Sequence, residues 1–133
     1  MANAIYPKFK QSQLDGDTDI DLNDGTVKAA LIDTGTYTYS ASDQFYSDLS
    51  GVVGTPGTLV NKTITNGLFD ADDLTLSAVS GATVEAVVIY IDTGTTSTSR
   101  LVAYLDTGIT GFPVTPNGGD IALQFNASGI VQF

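Results

Sequence analysis

Three apolar runs in this chain end in the same tripeptide, Asp-Thr-Gly, and that repetition constrains the fold more than any other feature. The runs are Ala29-Ala30-Leu31-Ile32 into Asp33-Thr34-Gly35, Val87-Val88-Ile89-Tyr90-Ile91 into Asp92-Thr93-Gly94, and Leu101-Val102-Ala103-Tyr104-Leu105 into Asp106-Thr107-Gly108. Such a run followed by Asp-Thr-Gly is the loop that carries the catalytic carboxylate of aspartic proteases. It is equally the end of a buried strand, where Asp hydrogen-bonds its own backbone two residues on and Gly supplies positive φ. A protease needs two such loops facing each other so that two carboxylates share one proton. Three copies fit punctuation better than a dyad. The residues after each Gly (Thr36, Thr95 and Ile109) also depart from the Ala or Ser usual in the proteases. We therefore expect three strand-end turns and no catalytic residue.

Composition narrows the chemistry further. The 133 residues suit one domain, and the absence of Cys and His removes disulfides, thiolate chemistry, the Ser-His-Asp arrangement and His-based zinc sites. Among 15 acidic residues only Glu85 is a glutamate, and Arg100 is the single arginine. A formal net charge of −10 repels phosphate, so no nucleic-acid partner is expected. No apolar stretch approaches the roughly 18 residues of a membrane span, and the first residues lack a signal-peptide apolar region. No membrane partner is expected, and the chain reads as made in a cytoplasm and used as it stands. Eighteen Thr and ten Ser beside 14 Gly favour short strands and many turns over helix.

Residues 1–14 form a distinct segment in which Lys8 and Lys10 alternate with Pro7 and Phe9. Two readings stand: a lead-in whose Ile5, Tyr6 and Phe9 fill the domain's own core, or an extended arm lying on another subunit. The second makes Tyr6, Pro7, Lys8, Phe9 and Lys10 candidate subunit contacts. The acidic stretch Asp15–Gly25 resembles a calcium loop, but an EF-hand opening at Asp15 would need Gly and Glu where Ile20 and Thr26 stand. Alternation of Ile20 and Leu22 with Asp19 and Asp21 predicts a half-buried strand turning at Asn23-Asp24-Gly25. No metal site or cofactor is expected.

Further strands are predicted over Thr26–Ile32, Leu59–Thr65, Leu74–Val79, Val84–Ile91, Leu101–Leu105, Ile121–Phe125 and Ile130–Phe133. Asn66-Gly67 is a hairpin turn, Gly54-Thr55-Pro56-Gly57 an exposed turn, and Ser40–Leu49 a place for one or two helical turns. The Val84–Ile91 run, apolar on both faces, is a central strand whose hairpin with Leu101–Leu105 should set Asp92 near Arg100. Turn signals every 8–12 residues are the spacing of an all-β sandwich or barrel. The predicted fold is an antiparallel β-sandwich, jelly-roll-like, over residues 15–133, with at most one short helix near residues 42–49.

Several segments in order resemble small virion proteins of tailed bacteriophages. They are Tyr6-Pro7-Lys8, Gly25-Thr26-Val27-Lys28-Ala29, Tyr37-Thr38-Tyr39-Ser40-Ala41, Phe45-Tyr46-Ser47-Asp48 and Asn66-Gly67-Leu68-Phe69-Asp70-Ala71-Asp72-Asp73. Ile89–Gly94, Ser99–Tyr104 and Pro113–Asp120 complete the set. Within that group the chain looks most like capsid cement (decoration) proteins, jelly-roll-like domains that clamp capsomers from outside. The resemblance implies a non-enzymatic protein on the outer capsid surface, with the major capsid protein as partner and a dimeric or trimeric state. Two other readings are a tail- or fibre-associated virion component and a glycan-binding adhesin module, in which Tyr37, Tyr39 and Tyr46 would stack on sugars; the same tyrosines also fit amphipathic core-rim positions.

Overall fold

The structure, a computed structural model, describes residues 3–133. In chain order its elements are β1 (Ala4–Ile5), α1 (Pro7–Asp15), β2 (Thr26–Ile32), β3 (Val52–Thr58), β4 (Thr63–Thr65), β5 (Leu68–Asp70), β6 (Leu74–Leu76), β7 (Ala86–Asp92), β8 (Leu101–Leu105), β9 (Ile121–Leu123) and β10 (Val131–Gln132). They form a five-stranded sheet ordered β1-β8-β7-β2-β3, a three-stranded sheet β10-β5-β4 and a two-stranded sheet β6-β9. Every pairing is antiparallel. The fold is all-β and sandwich-like, as the strand and turn pattern predicts.

The three runs that end in Asp-Thr-Gly are β2, β7 and β8, and they lie side by side at the centre of the large sheet. Their sequences are apolar on both faces because both faces are covered. One face carries Ala29, Leu31, Val87, Ile89, Ala103 and Leu105 in register. It turns toward the smaller sheets, where Ala103 and Leu105 share a cleft with Val131 of β10. The opposite face carries Val88, Tyr90 and Tyr104. There Tyr39 packs on Tyr104 with ring centroids 5.4 Å apart, and Tyr46 on Tyr90 at 4.7 Å. Residues 33–51 thus form the second cover of the sheet. Burying each Val, Leu, Ile or aromatic side chain of this core contributes about 1.5–3 kcal/mol.

Two-residue hairpin chemistry holds where predicted. Thr65 pairs with Leu68 across Asn66-Gly67, whose φ values of 51° and 79° are those of a type I′ turn.

Other expectations need correction. Residues 3–14 are not an extended arm lying outside the strand pattern. Ala4–Ile5 pairs with β8, and Pro7 then opens an α-helix at its first position. Pro suits that place because its missing N–H would have no partner in the first turn anyway. Gly16 closes the helix in the left-handed region, its N–H bonded to the Gln13 carbonyl and that of Asp17 to Ser12. The helix of the fold is therefore here. The stretch near residues 42–49 holds only a 3-10 turn, Tyr46–Asp48, capped by the Asp48 carboxylate on the N–H groups of Gln44 and Phe45.

Asp15–Gly25 is not a strand. Asp21 accepts the N–H groups of Asn23 and Asp24 at 2.8 and 3.0 Å, which curls the chain locally while Leu22 still reaches the core. Gly54-Thr55-Pro56-Gly57 is not an exposed turn but the middle of β3, an edge strand bulged where Ala29 and Leu31 face Gly57 and Val53. Proline is tolerated there because an edge strand can spare one N–H. Gly57 lets β6 pack close, since a Cβ there would press on the ends of the Leu74 and Leu76 side chains. Leu59–Thr65 yields only the short β4, although Leu59 itself is buried.

Candidate functional site

Strand direction decides what the three Asp-Thr-Gly turns can do together. Because β2 and β7 are antiparallel, with Thr26 opposite Asp92 and Ile32 opposite Ala86, Asp33 and Asp92 stand at opposite ends of the sheet. Asp33 and Asp106 share an end, but β7 runs between their strands, a separation of about two strand spacings, or roughly 9–10 Å. No two of the three carboxylates can share a proton. Each turn has local work instead. Asp33 accepts the Gly35 N–H at 2.9 Å and the Thr36 hydroxyl at 3.0 Å. Asp92 accepts the Gly94 N–H at 2.9 Å. At the third turn it is Asn3 that accepts the N–H groups of Asp106 and Thr107, at 2.7 and 2.9 Å.

Asp92 pairs with Lys28 at 2.8 Å, not with Arg100. A bulge between Ile89 and Tyr90 shifts the hairpin register, and Lys28 lies diagonally across the β2–β7 pair. The pairing with Lys28 and the Gly94 N–H hold the Asp92 carboxyl below the usual aspartate range. Arg100 instead donates to the Thr18 carbonyl at 2.9 Å and lies 5.3 Å from the Phe45 ring centre, a cation–π contact.

Acidic residues elsewhere are also engaged singly. Two backbone N–H groups hold the Asp21 carboxyl low. In the corner after β5, Asp72 accepts from Asn61 and Asp73 from the Phe125 N–H. Glu85 accepts both the N–H and the hydroxyl of Thr34 at 3.1 Å, tying the first turn to β7. Sequence reading noted Glu85 only as the single glutamate, and no local signal marks a bond that spans 51 positions. Among the described residues no group of three or more acidic side chains could hold a metal ion. The cleft between β8 and residues 125–132 is lined by amides (Asn3, Asn126, Gln132), hydroxyls (Thr107, Ser128) and apolar groups, with no carboxylate or lysine.

The tyrosines form a second cluster. Tyr6 and Tyr37 hydroxyls are 2.9 Å apart, and Tyr37 donates to Asp43 at 2.6 Å. Burial pushes the Tyr6 and Tyr37 phenols above the ordinary tyrosine range. Tyr37 is only 3% exposed, and the rings of Tyr39 and Tyr46 stack on Tyr104 and Tyr90. These are core and core-rim residues of the sheet's cover.

The proposed subunit contacts divide. Tyr6 (0% exposed) and Phe9 (1%) are buried in this chain's own core, so they present nothing to a partner. The Tyr6 N–H is bonded to the Val102 carbonyl, and the Phe9 ring lies 5.9 Å from that of Phe133. Pro7 and Lys10 are exposed and Lys8 half-buried. Neither lysine's ammonium makes an ion pair or a hydrogen bond among the described residues.

No protein-family model and no curated protein matches this chain. No helix among the described residues is long and apolar enough to cross a membrane.

Proposed function

We propose that this chain is a non-enzymatic structural protein of a tailed-phage particle that binds the outside of the capsid and stabilises it. The observation that carries the reading is the ordered set of segments, from Tyr6-Pro7-Lys8 to Pro113–Asp120, that resembles such virion proteins along nearly the whole chain. Two features support it, and multivalency supplies the mechanism. The acidic side chains are spent one by one on turns, caps and a strand pair rather than converging on a cleft, as an acid–base hydrolase would require. A net charge of −10 suits a surface turned to solvent and away from packaged DNA. A weak contact per domain becomes tight when an oligomer engages several capsomers at once.

The test is binding of the purified protein to empty shells assembled from the major capsid protein of the phage that encodes it. Co-sedimentation with shells and a higher shell melting temperature are the expected results. Co-purification with tails instead of shells would move the protein to the tail, and its absence from purified particles would end the virion reading.

A further inference from the structure

Exposed large apolar side chains are few, and three of them gather at one place. Leu14 is 90% exposed at the end of α1, Ile64 46% exposed on β4, and Phe133 38% exposed between them. They line two adjoining hollows that meet at Gln13 and Phe133. Lys10 borders one hollow and Asp21 the other, so the groove is apolar in the middle with a cation at one end and a carboxylate at the other. Its wall includes the sheet edge β4, a three-residue strand paired with β5.

Charge decides what can cover this groove. A chain at −10 repels a second copy of itself everywhere except where a cation is available. Lys28 is committed to Asp92, Lys62 to the Gly25 carbonyl and Arg100 to Thr18 and Phe45. Lys62 donates to the Gly25 carbonyl, and its charge also acts on Asp21 from within the same chain. Lys8, like Lys10, has no side-chain partner among the described residues, but it lines neither hollow, so Lys10 is the unengaged lysine that borders the groove. A groove with opposite charges at its two ends is complementary to its own copy rotated by two-fold symmetry. Each Lys10 then meets the partner's end of the groove that holds Asp21, and Leu14, Ile64 and Phe133 are covered from both sides.

We propose that this groove is the interface of a two-fold homodimer, with Lys10 and Asp21 as the reciprocal charge pair and Leu14 and Ile64 as its apolar centre. The dimer follows from the groove and the charge pattern alone, independent of whether the protein sits on a capsid.

Sedimentation velocity of the full chain, at up to ~100 μM protein, tests it. The intact protein should run as a dimer, and Lys10→Glu and Asp21→Lys should each run as monomers, because each sets like charges against each other. An equimolar mixture of the two variants should recover the dimer, since a mixed pair restores an opposite-charge contact at both ends. Leu14→Glu and Ile64→Glu, at exposed positions, should also be monomeric while still melting cooperatively. A monomeric intact protein overturns the proposal. So does a dimer that survives both glutamate substitutions, or a pair of folded charge variants whose mixture stays monomeric.

Discussion

At the scale of single residues, the aspartates and tyrosines that drew attention as chemistry are fastenings. The recurring Asp-Thr-Gly is legible as a turn because most of its physics is local: Asp33 and Asp92 each accept the N–H of the Gly two residues on, and Gly94 and Gly108 take positive φ, although Gly35 does not. Tyr37 is the opposite case. Its hydroxyl bridges Tyr6, 31 positions earlier, and Asp43, and nothing in the sequence near it announces either bond. Tyr37→Phe keeps the ring but leaves the Tyr6 hydroxyl and one Asp43 oxygen short of a partner. We expect a loss of about 1–3 kcal/mol, the cost of stranding a buried polar group. Tyr46→Phe, which keeps its stack on Tyr90, should cost less. Urea melts of the two variants check this; equal losses would show that the Tyr6–Tyr37–Asp43 chain contributes nothing beyond ring packing.

Among elements, the sequence pattern located the long strands and misplaced the helix. β2, β7 and β8 could be read because each is a long apolar run with a turn behind it. The helix α1 could not be read from periodicity, since Pro-Lys-Phe-Lys-Gln-Ser-Gln-Leu-Asp buries only Phe9 and Ser12. Its end signals were present nonetheless: Pro7 at the first position and Gly16 just past the last. Pro7 stands just past the end of β1 and opens the helix. Because α1 and β1 are built into the core, Phe9→Ala should cost about 3–5 kcal/mol, as expected for a buried aromatic. Lys10→Ala should change the stability of the fold by no more than about 0.5 kcal/mol. Chemical denaturation of both separates a core element from a detachable arm, and a Phe9→Ala protein as stable as the intact chain would restore the arm.

For the molecule as a whole, two sets of shifted groups bound the pH range of the fold. Asp92 and Asp21 are held below the unfolded aspartate value, near pH 4. Their contribution is therefore present above that pH and is lost as pH falls through the lower folded values. Tyr6, Tyr37 and Tyr90 are held above the unfolded tyrosine value, near pH 10. Their contribution is present below that pH and is lost as pH rises beyond it. A plot of melting temperature against pH should be flat between about pH 5 and 9 and fall on both sides. In Asp92→Asn the acid-side fall should be shallower and the plateau lower, and an unchanged acid limb would remove the Lys28 pair as its cause. What the sequence determined by itself was every feature whose causes are close in the chain. Those are the all-β class, the three central strands, their turns, the Asn66-Gly67 hairpin and the exclusion of thiol and imidazole chemistry. Tertiary structure alone decided the rest. The bulge that moved Asp92 from Arg100 to Lys28, the close approach of Leu74 and Leu76 of β6 to Gly57, and the meeting of Lys10, Leu14, Asp21, Ile64 and Phe133 all depend on residues brought together from distant positions. Local propensity carries no information about such meetings, because packing of whole sheets and not the neighbouring residues sets their energy.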